Sequence, residues 1–431
     1  MGQEIFDVAV IGLGYIGLPT AATFAARGCT VAGVDLQQST VDAVNRGEVP
    51  FVEPDLGAVL SGVVSKGSFK AFTTMPKAQA YIIAVPTPVT ADKNVDLSYL
   101  WSAAKNIAPA LTGGELIILE STSPPGTTKK LGDYLISERP DLALEQGSGE
   151  NQIFLAHSPE RVLPGRIMIE IVANDRVVGG LTNEAAEKAK KLYEVICQGQ
   201  IHVTDASTAE MTKIAENSFR DLNIAFANQL ALIANELGID VWRLIELANH
   251  HPRVNILQPG PGVGGHCIAV DPWFLVGAFP DFSSVTRAAR ELNDSMPARV
   301  VERIVETVAH IEKPTVCLLG LSFKANIDDT RESPSVEVAL GVAEALSGSR
   351  ILCVDPHVVE LPQELAALDN IELVDVDVAI DANIVVLLVN HDEFTDIHSR
   401  LNSSALIVDT RGVWPSAEHA ELVGHAEVLS S

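Results

Sequence analysis

A cysteine and a carboxylate lie four residues apart, just after a glycine-rich run. Residues 260–265 contain four glycines, and Cys267 and Asp271 follow them. Glycine allows positive φ and a close approach of the backbone to a ligand. A thiol beside such a loop is therefore well placed to attack a bound molecule. A lone cysteine is more often a small core residue, so other residues must decide between nucleophile and core residue.

A second polar group lies on a predicted long helix. Residues 208–237 lack glycine and proline, and Ser207 with Glu210 is typical of a capping box before a helix that stops at Gly238. At 1.5 Å per residue this helix is about 45 Å long, which is typical of a helix that links domains or packs in a dimer.

Lys213 and Asn217 lie four apart on this helix and share one face with Glu210 and Arg220. An all-polar stripe is usually a solvated face. Apolar residues ring much of the same helix, however, and a lysine in such surroundings can donate a proton or stabilise an oxyanion.

Two further polar groups flank predicted elements. Residues 157–165 follow a strand and contain Glu160, a candidate base or water-positioning carboxylate. His251 and Arg253 follow a predicted helix over 241–249 and either bind phosphate or cap that helix.

A glycine turn near the N-terminus predicts a nucleotide site. Gly12, Gly14 and Gly17 directly follow a predicted strand and open a helix, the context that a dinucleotide turn requires. Asp35 ends the second strand, 21 residues after Gly14, where a carboxylate would accept from the ribose hydroxyls and repel a 2′-phosphate. The turn therefore predicts NAD as the cofactor.

The elements that position these groups form an α/β pattern, in which short apolar strands alternate with helices and predict parallel sheets. We expect two Rossmann-like parallel-sheet domains joined by a long-helix central domain. The boundaries are residues 1–200 for the NAD-binding domain, 201–300 for the central helical domain, and 301–431 for a C-terminal α/β domain. The predicted strands are residues 5–11, 30–34, 81–85, 116–119, 153–156, 176–178, 315–319, 350–354, 384–389 and 405–408, with a polar helical connection over 297–313.

Cations follow strands of the last domain. Lys324 and Arg331 come after its first strand, and Arg411 comes after its final strand. Strand ends of parallel sheets bind ligands, so these side chains suit an anionic diphosphate.

Composition excludes several classes of partner. The formal net charge is −26 over 431 residues, which argues against nonspecific binding to nucleic acid or to an anionic membrane. No apolar stretch reaches the length of a membrane span. Five scattered cysteines show neither zinc spacing nor a disulfide framework. We expect a cytoplasmic, metal-free protein.

Together these residues predict a redox reaction that continues past the aldehyde. An alcohol gives its hydride to NAD once a base takes its proton, but an aldehyde must first become tetrahedral. A cysteine thiolate achieves this by forming a thiohemiacetal, which a second hydride transfer converts into a thioester that water hydrolyses.

The chain resembles the UDP-glucose/UDP-mannuronate dehydrogenase family, whose members oxidise C6 of a UDP-sugar in two steps. Residues 159–165, 209–228 and 251–274 carry the resemblance. It implies Cys267 as nucleophile, Lys213 as proton donor or acceptor, and Asn217 and Asp271 as partners of the water and the oxyanion.

The resemblance also implies that the C-terminal domain, residues 301–431, binds the UDP-sugar and that the central domain, residues 201–300, carries catalysis and dimerisation. The homodimer forms through the long helix, with Arg253 reaching across the interface. Near NAD it places Tyr15, Ile16, Asp35, Thr87, Thr122, Thr128 and Arg331. Near the UDP-sugar it places Arg161, Val162, Lys213, Asn217, Arg220, His251, Arg253, Gly264, Phe323, Lys324 and Arg411.

One motif bears on the sugar. UDP-glucose enzymes of this family follow the Pro-Glu pair with Phe-Leu and a second glutamate, whereas here residues 161–164 read Arg-Val-Leu-Pro. This resemblance implies a UDP-N-acetylhexosamine substrate, with UDP-N-acetyl-D-mannosamine oxidised to its uronate for bacterial surface polysaccharides. UDP-GlcNAc or another UDP-hexose is the alternative. A non-catalytic nucleotide sensor and an NAD-retaining epimerase are the remote ones.

Overall fold

A computed structural model describes residues 5–51, 53–90, 92–144, 151–163, 165–265 and 267–414. The chain divides into two compact units. The first comprises residues 1–216 and 273–279, and the second comprises residues 217–272 and 280–431.

The first unit is built on a twisted sheet with helices between its strands. Its central strands are buried apolar runs, as expected for a parallel sheet covered on both faces. The strands are β1 (Phe6–Ile11), β2 (Val31–Val34), β3 (Phe69–Phe72), β4 (Ala78–Ile83), β5 (Leu116–Leu119), β6 (Ala143–Leu144), β7 (Gln152–His157), β8 (Arg176–Gly180) and β9 (Ile201–Asp205). The helices are α1 (Gly17–Ala26), α2 (Gln38–Asn45), α3 (Leu56–Lys66), α4 (Ser98–Ile107), α5 (Thr127–Glu138), α6 (Ile167–Ala173) and α7 (Asn183–Tyr193).

The strand order of this sheet is β3-β2-β1-β4-β5-β7-β8-β9, with β6 paired to β7. All pairs are parallel except β7 with β8. Both β1 and β4 lie at the centre, and the chain leaves them toward opposite edges of the sheet. Such a switch point opens a crevice for a ligand at the carboxyl ends of the strands.

The long central helix, α8, covers Ala206–Leu237, close to the predicted span. The predicted cap at Ser207 is wrong, because the helix begins directly after β9 and Ser207 lies within its first turn. Asp205 caps it instead, accepting from the backbone N–H and the hydroxyl of Thr208 at 2.9 and 2.6 Å. Gly238 does stop the helix, with φ of 66°.

Three further helices follow. They are α9 (Val241–Asn249), α10 (Asp271–Ala278) and α11 (Ser284–Thr307). The predicted span of α9 is confirmed. The predicted connection over 297–313 lies mostly in α11, which begins well before it and contains Pro297.

The second unit contains a smaller, all-parallel sheet in the order β12-β11-β10-β13-β14. Its strands are β10 (Thr315–Leu319), β11 (Arg350–Val354), β12 (Ile371–Leu373), β13 (Ile384–Leu387) and β14 (Leu406–Asp409), and its helices are α12 (Pro334–Ala345), α13 (Gln363–Ala366) and α14 (Val376–Ala379). The α/β fold class is therefore confirmed, with two parallel-sheet regions and a helical centre. The three domain boundaries stay a prediction.

The two sheets repeat one local hydrogen-bond scheme. After the first strand of each, a glycine of positive φ donates to the second strand: Gly12 to the Val34 carbonyl and Gly320 to the Val354 carbonyl, both at 2.8 Å. The next residue then donates to an aspartate, Leu13 to Asp35 at 3.0 Å and Leu321 to Asp355 at 2.7 Å. An aspartate at the end of the second strand thus fixes the turn in each sheet.

Within the part of the chain that the structure describes, no helix combines the length and apolar character needed to cross a membrane.

Candidate active site

The glycine turn between β1 and α1 leaves room for a phosphate at one position. A Cβ on Gly12 would lie 2.6 Å from the Ala84 carbonyl oxygen, and one on Gly17 would clash with the Gly12 carbonyl oxygen. These two glycines are therefore required by the packing of the turn itself. A Cβ on Gly14 would meet open space, so that backbone is accessible to a ligand. The turn fits a dinucleotide at the N-terminus of α1.

Asp35 lies beside this turn and stays partly exposed. Its Oδ2 accepts from the Leu13 N–H at 3.0 Å, and its Oδ1 accepts from the Gln37 N–H at 2.9 Å. Each carboxylate oxygen has a further lone pair, so the group can accept from ribose hydroxyls while it holds the turn. Ile16 immediately precedes α1.

Two strand-end loops of the same sheet are tied together. The Thr87 hydroxyl donates to the Thr122 carbonyl at 2.8 Å. Thr128 is fully buried, and its N–H and hydroxyl donate to Glu210 Oε1 at 2.6 and 2.7 Å. Gly126 donates to the other oxygen of Glu210 at 2.5 Å. The Thr128 hydroxyl, predicted to lie near NAD, is thus engaged by a glutamate of α8.

The start of the polar stripe on α8 is not a solvated face. Glu210 is 1 % exposed and Lys213 is 9 % exposed. Burial raises the pKa of Glu210, against the effect of its hydrogen bonds from Thr128 and Gly126. Farther along, Asn217 is half-buried and Arg220 is exposed. The expectation of a solvated stripe therefore holds only for its last member.

Glu160 belongs to a buried charged cluster that the sequence did not reveal. Its Oε2 accepts from Arg176 at 2.7 Å, and its Oε1 accepts from the backbone N–H of Arg161 at 2.8 Å. Arg176 also contacts Glu120 at 3.4 Å, and Glu120 accepts from the Tyr193 hydroxyl at 2.9 Å. Burial, reinforced by the charge of Glu160, raises the pKa of Glu120 to about 7.

The residues that follow Glu160 contact other residues of the first unit. Arg161 pairs with both carboxylate oxygens of Glu216 at 2.8 and 3.1 Å. Val162 is partly buried against the apolar core beneath the sheet. Pro164 of the predicted motif lies outside the described residues. The predicted substrate segment is thus braced by ion pairing and by apolar packing.

The second unit brings the predicted thiol, carboxylate and amide into one local arrangement. Cys267 is exposed, which is not the burial of an ordinary core cysteine. Its carbonyl accepts from the Asp271 N–H at 2.8 Å, and this turn leads into α10. Asp271 is 2 % exposed, and its carboxylate accepts a hydrogen bond from the Asn217 side chain. An exposed thiol therefore lies one turn from a buried, oriented carboxylate.

The glycine-rich run pushes close to other protein atoms rather than leaving the open space expected for a ligand. A Cβ on Gly264 would lie 2.5 Å from the Glu332 carbonyl oxygen, and one on Gly265 would lie 2.9 Å from the Phe323 ring. A Cβ on Gly260 would lie 2.7 Å from the Arg411 guanidinium. The Gly260 N–H donates to the side-chain oxygen of Asn228 on α8 at 2.9 Å. Gly264 and Gly265 thus allow the loop before Cys267 to pack on the segment after β10.

The predicted cations of the second unit differ in their burial and in their partners. The Arg411 Nε donates to the Leu388 carbonyl at 2.7 Å, and burial lowers the pKa of Arg411 to about 10, against the effect of Asp409. Arg331 is exposed and pairs with Asp329 at 2.7 Å. Lys324, His251 and Arg253 are also exposed, whereas the predicted ring residue Phe323 is partly buried.

One His/His/Glu group, His357 with His391 and Glu393, has metal-ligand spacing. His391 Nδ1 already accepts from the Asn326 N–H at 3.0 Å, and its Nε2 lies 3.2 Å from Asp355. Both nitrogens of this histidine are thus engaged within the protein, and we assign no ion to the group.

Comparison with protein families gives three matches along the chain. Residues 6–197 match the NAD binding domain of the UDP-glucose/GDP-mannose dehydrogenase family, residues 207–295 match its central domain, and residues 317–416 match its UDP binding domain.

Individual relatives cover nearly the whole chain. The chain is 49 % identical over 416 residues to UDP-N-acetyl-D-mannosamine dehydrogenase of Escherichia coli, covering 94 % of this chain and 99 % of the relative. It is 50 % identical over 409 residues to NDP-N-acetyl-D-galactosaminuronic acid dehydrogenase of Ralstonia nicotianae, covering 94 % and 96 %. A solved UDP-N-acetyl-mannosamine dehydrogenase from Staphylococcus aureus is 41 % identical, with a TM-score of 0.83 and coverage of 94 % and 95 %.

Proposed function

Because this chain belongs to the UDP-glucose/GDP-mannose dehydrogenase family, we propose that it oxidises C6 of UDP-N-acetyl-D-mannosamine to the uronate. It is an NAD-dependent UDP-sugar dehydrogenase, and the sugar is the part we propose. The sequence relation to mannosamine dehydrogenases supports this choice. The local arrangement of Cys267, Asp271 and Asn217 supports chemistry that continues past the aldehyde.

NAD, when bound, would supply the hydride acceptor, and the two oxidations consume two NAD molecules in succession. We assign its binding to the turn of Gly12, Gly14 and Gly17 and to Asp35. Gly14 offers accessible backbone for a phosphate, and Asp35 keeps lone pairs for ribose hydroxyls. Tyr15, Ile16, Thr87, Thr122, Thr128 and Arg331 stay predicted neighbours of the dinucleotide.

Lys213 is the proposed proton donor and acceptor at the C6 oxygen. Its burial to 9 % exposure favours direct contact with substrate over solvation, and a cation there stabilises a developing oxyanion. After the first oxidation, the Cys267 thiolate attacks the aldehyde carbon, and the carbonyl oxygen takes a proton to give a thiohemiacetal.

Loss of a hydride and a proton from the thiohemiacetal leaves a thioester on Cys267. Water then attacks the acyl carbon, the C–S bond breaks, and the thiol regains a proton while the uronate leaves. Asp271 is the proposed group that orients this water, with Asn217 fixing its carboxylate. Glu160 is a less direct candidate, because Arg176 and the Arg161 backbone already engage its two oxygens.

A second sugar has support of its own. A relative of equal identity bears the name of a galactosaminuronic acid dehydrogenase, so UDP-N-acetyl-D-galactosamine is the competing substrate. UDP-GlcNAc is the alternative predicted from the sequence. The competing sugars differ from N-acetylmannosamine only in ring configuration, which calls for a direct comparison.

The test is an NADH-release assay with purified UDP-ManNAc, UDP-GalNAc, UDP-GlcNAc and UDP-glucose at limiting sugar. We expect two NADH per UDP-ManNAc and the highest kcat/KM for that sugar. One NADH per sugar contradicts the thioester route, and a higher kcat/KM for another sugar overturns the substrate. Absence of net NADH would support the sensor or the epimerase.

A homodimer is also part of the proposal. The α8 residues of the second unit present an exposed apolar stripe at helical spacing: Phe219, Phe226, Ile233 and Leu237, which are 45–68 % exposed. Exposed apolar side chains aligned on one helix face are typical of an interaction surface. A second copy of α8 offers the same stripe to a two-fold contact. The reach of Arg253 across that interface and the cytoplasmic location stay predictions.

A further inference from the structure

The loop before α3 contacts two segments that we assign to different ligands. The Phe51 ring stacks on Tyr15 of the NAD turn, with centroids 4.3 Å apart and an interplanar angle of 27°. Two residues later, the Glu53 carboxylate accepts from the N–H groups of Gly165 and Ile167 at 2.9 and 2.8 Å. Residues 165–167 end the segment that begins with Arg161, a predicted contact of the UDP-sugar.

Glu53 is a buried acceptor rather than a surface carboxylate. It is 8 % exposed, and both its oxygens accept from the backbone at the start of α6. The residue preceding α6, Arg166, supplies no side-chain cap for that helix. A glutamate more than a hundred residues away in sequence therefore satisfies both N–H groups. Of the two residues, Ile167 is buried and would otherwise leave its N–H without a hydrogen bond.

Both ends of this connection pack against the same apolar core. Phe51 and Val162 are both partly buried against the same apolar core. Closely packed groups do not move independently, because a shift of one opens space beside the other. The loop therefore contacts Tyr15 through Phe51 and the backbone of Gly165 and Ile167 through Glu53.

We propose that Phe51 and Glu53 couple the two ligands, so that NAD bound at the Tyr15 turn and the UDP-sugar bound at the 161–167 segment strengthen each other's binding. Glu53 is then a positioning residue for the substrate segment. This inference rests on the proposed assignment of those segments to the two ligands. A dinucleotide that orders the Tyr15 turn also orders the loop, and the sugar segment then loses less conformational freedom on binding.

The coupling is measurable without turnover. Fluorescence titration gives the Kd of NADH for the full-length enzyme, alone and with saturating UDP-N-acetyl-D-mannosamine. The same titration is repeated with UDP in place of the UDP-sugar. For the wild type we expect the Kd of NADH to fall by about 5-fold or more when either ligand is present. Linkage requires the same ratio for the UDP ligand when NADH is saturating.

The coupling ratio is the Kd of NADH without the UDP ligand divided by the Kd with it. Phe51→Ala and Glu53→Gln should each bring this ratio to about 1. The double variant should change it no further, since one link is broken in all three. Glu48→Gln is the matched control, because Glu48 lies in the same loop, is exposed and pairs with Arg46. It should keep the wild-type ratio. Thermal melts establish that each variant is folded.

A wild-type ratio of 1 with both UDP ligands overturns the coupling, as does a wild-type ratio in both variants. A merely structural Glu53 would lower the melting temperature yet leave the ratio unchanged. If UDP couples to NADH while UDP-ManNAc neither binds nor is oxidised, the coupling stands and the proposed sugar fails.

Discussion

Asn217 donates a side-chain hydrogen bond to the Asp271 carboxylate, which joins the long helix α8 to the first residue of α10. The carboxylate is 2 % exposed, so the amide replaces a hydrogen bond that water would otherwise supply. The Cys267 carbonyl accepts from the Asp271 N–H in the same turn. Cys267, the proposed nucleophile, and the Asp271 carboxylate are thereby linked by one backbone turn and one side-chain contact.

Asp271→Asn tests that arrangement. The new amide oxygen can still accept from Asn217, so the shape is kept and only the charge is lost. We expect kcat to fall about 100-fold, the usual contribution of a positioned acid or base, with little change in KM. Steady-state NADH release measures both, and a variant with wild-type kcat would remove Asp271 from the mechanism.

Cys267→Ala should abolish uronate formation. No second thiol lies in its turn, and loss of a nucleophile costs at least about 1,000-fold in rate. Rapid-quench analysis of the sugar product is the measurement. Cys197→Ala is the matched control, because Cys197 is partly exposed and its thiol donates to the Asn174 carbonyl in the first unit. Uronate formed at the wild-type rate without Cys267 would end the thioester proposal.

Glu120→Gln should change how stability depends on pH. Burial raises the pKa of Glu120 to about 7 in the folded chain, above its ordinary value near 4.5. Between these values the folded protein keeps a proton that the unfolded chain has lost, so stability falls as pH rises from about 4.5 to about 7. Glutamine has no proton to lose, and its oxygen can still accept from Tyr193 and Arg176.

We therefore expect Glu120→Gln to melt at a higher temperature relative to the wild type at pH 8 than at pH 5. Differential scanning calorimetry at both values measures the difference. Glu115→Gln is a control, since Glu115 is buried and accepts from Thr112 and Gly113. Equal differences at the two pH values would contradict a raised pKa of Glu120.

Phe226→Asp should convert the proposed homodimer into monomers. Phe226 lies midway along the exposed stripe of α8, and a charge there would be desolvated in an apolar interface. Sedimentation velocity gives the mass directly. Phe282→Asp is the control, because Phe282 is even more exposed, at 89 %, but is not part of α8. A Phe226→Asp dimer, or a monomeric control, would place the interface elsewhere.

The sequence predicted central strands better than edge strands. Buried runs such as β5, β10 and β11 have their predicted limits, because continuous apolar residues identify them. The missed strands β3, β9 and β12 lie at sheet edges. Lys70, His202 and Glu372 interrupt their apolar pattern, as a partly solvated edge permits. Short β6 was missed as well.

Contacts distant along the chain explain the other differences. Ser207 and Glu210 have the spacing of a capping box, yet Glu210 bonds to Thr128 and Gly126. Arg176 and Glu120 form a pair that no local pattern marks. The glycine turn lies between β1 and α1, and Asp35 directly follows β2, as predicted, because their spacing is local and fixed by one βαβ unit.

The repeated aspartate turn bears on how many dinucleotides one chain can hold. Asp355 has its side chain fully buried, and it accepts from Leu321, Ser322, His357 and Val358. Asp35 is partly exposed and holds only two such N–H groups. Ser322 occupies the place that open Gly14 has in the first turn. The Asp35 carboxylate thus has acceptor capacity left for a ribose, whereas the Asp355 carboxylate is occupied by its own backbone. We therefore expect each polypeptide to bind one NAD at a time.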